Sequence, residues 1–339
     1  MKKLINNPAS FVDEVMEGIV AAYGDKVKFL DDDTRILITN YPVKKGKVGI
    51  VTAGGSGHLP VFTGYVGSGM LDACVAGNVF ASPSYTKMNK AIKACDTGAG
   101  VLCLYGNYGG DKMNFRQAME DAEFAGIQTK ELLVCDDIAS ASIEESNKRR
   151  GVAGMVYAFK IAGAAANRMM NLDEVTAVTQ KALQNIRTIG IALSACVVPE
   201  VGVPTFSIEE DELEIGMGIH GEKGIDTCKM MSADEITEKL LRYLDQDMPL
   251  KAGNEISVMV NGLGATPLEE QLIVYRKIKS VMDHKGVSIV VPHIGEFATS
   301  MEMAGVSITV FKLDEQLKEL LCDPADTPFY TNYNKLEIK

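Results

Sequence analysis

The sequence is poor in the residues and patterns that mark metal, disulfide, membrane or nucleic-acid proteins. Its histidines are His58, His220, His284 and His293, and none stands near a cysteine, which argues against a zinc site. The seven cysteines are odd in number, form no C-x-x-C pair, and several lie in apolar runs. They read as reduced core thiols of a cytoplasmic protein rather than as staples or metal ligands. No apolar stretch approaches the roughly 18 residues that span a bilayer. The opening M-K-K-L-I-N-N-P lacks the apolar core and cleavage site of a signal peptide. No Lys/Arg-rich block occurs, and 34 basic against 45 acidic residues leave a net charge of −11. Neutralising phosphates needs clustered cations, so neither nucleic acid nor membrane is an expected partner.

What is present is the composition of a globular protein, 46% hydrophobic and 23% charged. A chain of 339 residues exceeds one ordinary core and suits two domains. Short apolar runs at Val48–Thr52, Ala73–Ala76, Val101–Tyr105 and Lys130–Cys135 predict buried strands, with helices at Tyr85–Ala94 and Asn114–Phe124 between them. A long helical stretch is expected from about Glu145. A further helix opens on Asn171-Leu-Asp-Glu174, which has capping-box spacing. A second alternation follows. Its expected strands are Ile191–Val198, Glu255–Val260, Val287–Val291 and Ser307–Phe311. Its expected helices are Ala233–Leu244, behind a Ser232-x-x-Glu235 capping box, and Leu268–Met282. The expected fold class is α/β, with two α/β domains, each a mixed, largely parallel sheet covered by helices. The expected domains are 1–186 and 187–339, with a C-terminal tail able to pack back on the first.

Three segments of the first half put glycine and polar residues where a strand ends: G-G-S-G-H (54–58), G-N-V-F-A-S-P-S (77–84) and N-Y-G-G-D (107–111). In α/β sheets that edge is where ligands sit, and three such loops on one edge predict a cleft. It is not a nucleotide cleft of a known type. A P-loop requires G-x-x-x-x-G-K-[ST], whereas residues 58–60 are His-Leu-Pro, and Gly55-x-Gly57-x-x-Pro60 breaks the dinucleotide fingerprint. His220 lies in I-G-M-G-I-H-G-E-K-G, where the glycines let backbone approach a ligand closely. A lone histidine is ordinarily a satisfied structural residue, so both readings stay open for it. Asp111, at a strand end, reads equally as a cap for the following helix.

Taken together, T-A-G-G-S-G-H-L-P, G-N-V-F-A-S-P-S, G-N-Y-G-G-D-x-M-N-F, G-M-G-I-H-G-E, V-N-G-L-G-A-T-P (260–267) and I-G-E-F-A-T-S-M-E-M-A-G (294–305) resemble the substrate-binding subunit of dihydroxyacetone kinase over essentially the whole chain. The resemblance implies that His220 adds to the ketone carbonyl and holds the substrate as a covalent hemiaminal. It implies that His58 hydrogen-bonds the substrate and assists proton transfer, and that Asp111 takes the proton from the terminal hydroxyl. Gly54, Gly55, Ser56, Gly57 and Ser82 would complete the substrate contacts, with no metal on this chain. The chain resembles the split, phosphotransferase-system-dependent kinases, in which a separate helical subunit brings ADP/ATP with Mg²⁺. A homodimer is expected on the same ground. Three residues depart from the family pattern: Leu59 replaces a glutamate, Gly106 a common lysine and Lys223 a proline. The first two raise the alternative of a longer ketose such as erythrulose. A second alternative is a ketone-sensing regulatory paralogue. His284 and His293 read as structural.

Overall fold

The structure, a computed structural model, describes residues 2–333; residue 1 and residues 334–339, at the ends of the two expected domains, lie outside it. The first sheet is built from β1 (Val27–Leu30), β2 (Asp33–Thr39), β3 (Gly49–Ser56), β4 (Ala73–Val79), β5 (Val101–Gly106) and β6 (Thr129–Val134). Their spatial order is β1-β2-β4-β3-β5-β6, and β4, β3, β5 and β6 run parallel. Helices α1 (Phe11–Tyr23), α2 (Tyr85–Cys95), α3 (Gly109–Phe124), α4 (Met155–Asn167) and α5 (Leu172–Gln184) accompany it. Strand alternation divides its faces. Val51, Ala53, Ala73, Val75, Val101, Cys103 and Tyr105 form a core with Met88 and Ile92 of α2 and Phe115 and Ala118 of α3. Helix α4 also packs on β3 and β5, and it is buried almost all round.

The second sheet contains β7 (Ile186–Ser194), β8 (Glu212–Ile215), β9 (Asp226–Lys229), β10 (Glu255–Gly262), β11 (Ser288–Gly295) and β12 (Ala304–Leu313), in the order β11-β10-β12-β7-β8-β9. Helices α6 (Ala233–Asp247) and α7 (Leu268–Lys285) bury Ile236, Leu240, Leu244, Val274 and Ile278 against it. The sheet is mixed, as expected. Among the described residues its one parallel pair is β10–β11, joined through α7, and the other neighbours are antiparallel. The largely parallel character thus belongs to the first sheet alone, because only there do helical crossovers follow strand after strand. Helix α8 (Glu315–Cys322) follows.

The chain forms two compact units, each made of separated stretches. One comprises Lys2–Val134, Met155–Ala182 and the described residues from Glu315; the other comprises Cys135–Gly154 and Leu183–Asp314. Within the first, the tail is tied down by Lys26 on Asp326 at 2.5 Å, Tyr41 donating to Asp326 at 2.6 Å and Thr327 donating to the Gly64 carbonyl.

The capping boxes form at both expected places. Asn171 and Glu174 exchange hydrogen bonds at 2.9 and 3.0 Å, and Ser232 and Glu235 do the same. The helix expected from Glu145 starts instead at Met155, after a 3₁₀ turn at Ser146–Lys148. The cause is Asp136, whose buried carboxylate accepts the N–H groups of Val152 and Gly154 at 2.8 Å each, holding that backbone out of a helical ladder.

Lys160 on α4 is 1% exposed and donates to the Leu320 carbonyl, near the C-terminus of α8, at 2.6 Å. Burial pushes its ammonium down to about 8. The unfolded chain therefore binds more protons between about pH 8 and 10.5, the ordinary value, and stability rises with pH across that window. Lys160→Met removes this charge penalty. Urea denaturation should find the variant favoured over wild type most at pH 7, with an advantage that shrinks by up to about 3 kcal/mol by pH 10.5. A difference independent of pH would refute the assignment.

Candidate functional site

The loops after β3, β4 and β5 leave the same carboxyl edge of three adjacent parallel strands, and β3 lies between the strands that follow it in sequence. This is a topological switch point, where connections run off to opposite sides and open a crevice. Gly54, Gly55 and Ser56 end β3, Gly57, His58 and Ser82 lie in the loops that follow, and Asp111 stands in the first turn of the helix after β5.

The first two loops pack backbone on backbone. A Cβ on Gly55 would lie 2.8 Å from the Ala81 nitrogen, and one on Gly77 would lie 1.8 Å from the Ala81 carbonyl oxygen. Ser56 donates its hydroxyl to the Gly77 carbonyl at 2.7 Å, and Phe80 N–H donates back to the Ser56 carbonyl at 3.0 Å. The interlocked loops bury His58 to 1% exposure. Its ring stacks on Phe80, with centroids 4.9 Å apart and planes at 18°, and meets Phe62 edge-on at 6.3 Å. Phe62 and Phe80 both hold positive φ, 74° and 59°, a conformation disfavoured for bulky residues. It brings both rings to His58.

Asp111 is buried and is the third residue of α3, whose N-cap is Tyr108 without a side-chain cap bond. It therefore sits in the first turn, where the helix dipole favours a carboxylate. Ser82 adjoins the same turn, since a Cβ on Gly110 would be 2.6 Å from its Oγ. Gly106 is covered by the Tyr108 ring: an added Cβ would meet it at 3.0 Å. Leu59 follows His58 and is half-buried.

His220 belongs to the other unit, in the loop between β8 and β9. A Gly218–Gly221 turn carries it, with Gly221 N–H donating to the Gly218 carbonyl. Its side chain is 22% exposed. Nδ1 is 2.9 Å from Glu222 Oε1, and the His220 backbone N–H donates to Glu222 Oε2 at 3.0 Å. Burial pushes the Glu222 carboxyl up, but the hydrogen bond and charge of His220 and the charge of Arg150 outweigh this and bring it down to about 2. An ionised Glu222 can only accept, so Nδ1 carries the proton and the lone pair of the neutral ring is on Nε2.

Glu222 was legible in G-I-H-G-E as a carboxylate two residues after the histidine, though sequence reasoning assigned it no part. Arg150 had no such signal. Its Nη1 lies 3.7 Å from Glu222 Oε2, and its Nε donates to Asp137 at 2.9 Å. His284 Nδ1 is 2.6 Å from the Ser280 carbonyl within α7. His293 meets Phe297 edge-on.

A two-sheet α/β chain with loops interlocked at one strand edge and a glycine-framed histidine on the second sheet is the class that these features define, and residues 17–329 match the Dak1 domain family. A PTS-dependent dihydroxyacetone kinase 2, dihydroxyacetone-binding subunit DhaK, of Listeria innocua is 43% identical over 97% of this chain and 99% of its own length. An L-erythrulose kinase of Pectobacterium atrosepticum is 41% identical over 97% of this chain and 56% of that longer protein. The solved structure of the dihydroxyacetone kinase operon co-activator Dha-DhaQ superposes with a TM-score of 0.89 at 31% identity, covering 95% of this chain and 98% of the other. The chain belongs to the family of dihydroxyacetone kinase substrate-binding subunits.

Two outcomes follow from the geometry. Gly77→Ala should cost about 1–3 kcal/mol in urea denaturation, because the methyl collides with backbone, and should change the His58 ring resonances as Phe80 moves; unchanged resonances would sever the link between the loops and the ring. The Glu222 carboxyl, followed by ¹³C NMR, should titrate near pH 2 rather than 4.5. Its folded value lies below the unfolded one, so the stabilisation that it lends is complete above pH 4.5 and is lost as pH falls through about 2.

Proposed function

We propose that this chain is the ketone-binding subunit of a phosphotransferase-dependent dihydroxyacetone kinase, acting in the cytoplasm as a homodimer. In this reading His220 holds the ketone as a hemiaminal. The observation that carries it is the His220–Glu222 contact, which leaves the imidazole lone pair on Nε2 in a half-exposed, glycine-framed turn. The Nε2 lone pair adds to the carbonyl carbon, and the C=O π pair moves to oxygen, which takes a proton that His58 supplies. The ring becomes an imidazolium whose Nδ1–H stays on Glu222, and that carboxylate provides the counter-charge. A polyol such as glycerol has similar hydroxyls but no carbonyl to trap. Asp111 accepts the proton of the terminal hydroxyl as it attacks a γ-phosphate. Gly54, Gly55, Ser56, Gly57 and Ser82 line the substrate.

The Listeria innocua relative, named as a dihydroxyacetone-binding subunit and matched end to end, supports this division of labour. In it a separate subunit brings ATP with Mg²⁺, which supplies charge neutralisation at the transferring phosphoryl group.

The L-erythrulose kinase relative favours a second reading of the substrate as a four-carbon ketose. Leu59 is the departure that bears on it, since the space at Gly106 is filled by Tyr108.

The test uses [2-¹³C]dihydroxyacetone. Its carbonyl carbon should move to a tetrahedral resonance on wild-type protein and on Asp111→Asn, and remain a ketone with His220→Ala. With the donor subunit and ATP, Asp111→Asn should turn over about 10²–10⁴-fold more slowly. Phosphorylation by this chain with ATP alone would overturn the split-kinase reading. Adduct without turnover in the presence of donor subunit would leave the regulatory reading, in line with the relative titled an operon co-activator. A higher kcat/KM for either erythrulose enantiomer would establish the four-carbon substrate.

A further inference from the structure

We propose that Arg150, anchored by Asp137, acts on His220 through Glu222: the carboxylate fixes the Nδ1–H tautomer of the neutral ring, and the guanidinium behind it opposes a second protonation. The assignment of a use to this neutral ring rests on the reading of His220 as the nucleophile; the electrostatics do not.

The guanidinium is held on Asp137 and on the backbone of the histidine loop. Its Nε and Nη2 lie 2.9 and 2.7 Å from Asp137 Oδ2, and Nη2 donates to the Gly216 carbonyl at 3.1 Å, at the root of the histidine loop. Nη1 is then directed at Glu222 Oε2, 3.7 Å away, while the other oxygen of that carboxylate holds His220 Nδ1. Arg150 and Asp137 are 14% and 5% exposed and Glu222 35%, so solvent screens the inner end of the row weakly and the carboxylate more. The approach depends on Gly218. A Cβ there would lie 2.0 Å from Glu222 Oε2 and 2.4 Å from Arg150 Nη1, so the missing side chain is the gap in which carboxylate and guanidinium meet.

Glu222 by itself would do two things to His220. It would orient the ring, and as an anion it would raise the affinity of the ring for a second proton, which removes the lone pair. Arg150 separates these effects, because its positive charge behind the carboxylate opposes the imidazolium without touching the ring. The other charged groups at hand do not replace it. Asp136 lies beside Asp137 and is engaged by backbone N–H groups, and Glu214 accepts the Gly224 N–H and the Thr227 hydroxyl. Lys223 is exposed. Arg150 is a positioning residue: it acts on the nucleophile through Glu222.

The imidazole of His220 is titrated by ¹⁵N NMR in the ketone-free, full-length protein. Arg150→Gln should raise its midpoint by about one pH unit, and Arg150→Lys should restore it to within a few tenths. Glu222→Gln should lower it. A merely structural loss would not move the two midpoints in opposite directions. Asp137→Asn/Arg150→Gln leaves no lone buried charge, and it decides the matter if the single variant does not fold; a smaller rise is expected there. The acid limb of the adduct-formation rate should move with each midpoint. A midpoint unchanged or lowered in Arg150→Gln and in the double variant overturns the proposal. Midpoints that shift as stated in a protein that forms no adduct would overturn the hemiaminal reading and leave the charge assignment standing.

Discussion

Backbone packed directly on backbone, at the carboxyl ends of β3 and β4, is the constraint from which the first unit takes its site. At Gly55 the second loop, and at Gly77 the turn of that second loop on itself, comes closer than any Cβ allows. Once the two loops interlock, Phe80 has one place to go, against the His58 ring, and His58 is sealed between it and Phe62. An imidazole so enclosed has aromatic rings packed on its face and its edge. The strained φ values of both phenylalanines accompany that arrangement and persist because the interlocked loops leave them no alternative.

His220 is governed by the opposite physics. It is partly exposed, stands in a turn, and takes its orientation from hydrogen bonds to one carboxylate rather than from a packed wall. Orientation by a charge has an electrostatic consequence that orientation by packing does not, and Arg150 answers it. The same protein thus holds two histidines by two devices. Each suits the proposed part: a shielded proton donor that must not wander, and a nucleophile that must keep its lone pair while a ligand reaches it.

The departures from the family pattern divide in the same terms. At Gly106 the missing lysine leaves no void, because Tyr108 lies over the position. At Leu59 an apolar side chain directly follows the buried histidine.

Much of this was legible in the sequence because it is local. Strand and helix periods, the capping boxes at Asn171 and Ser232, and glycines crowded at strand ends are patterns within a few residues, and they identified both the α/β class and the loops that bear His58, Asp111 and His220. The non-local features were not legible. A helix expected from Glu145 gives way to an irregular segment because Asp136, many residues earlier, takes the N–H groups of Val152 and Gly154. The second sheet is mostly antiparallel although its strands read like those of the first, since an apolar run carries no mark of direction. Most plainly, nothing near His220 in the chain announces Arg150 or Asp137. By itself the sequence determined which histidines stand in glycine frames. Only the tertiary structure decided which charges surround them, because a charge acts through distance in space, and folding alone brings residue 150 to residue 222.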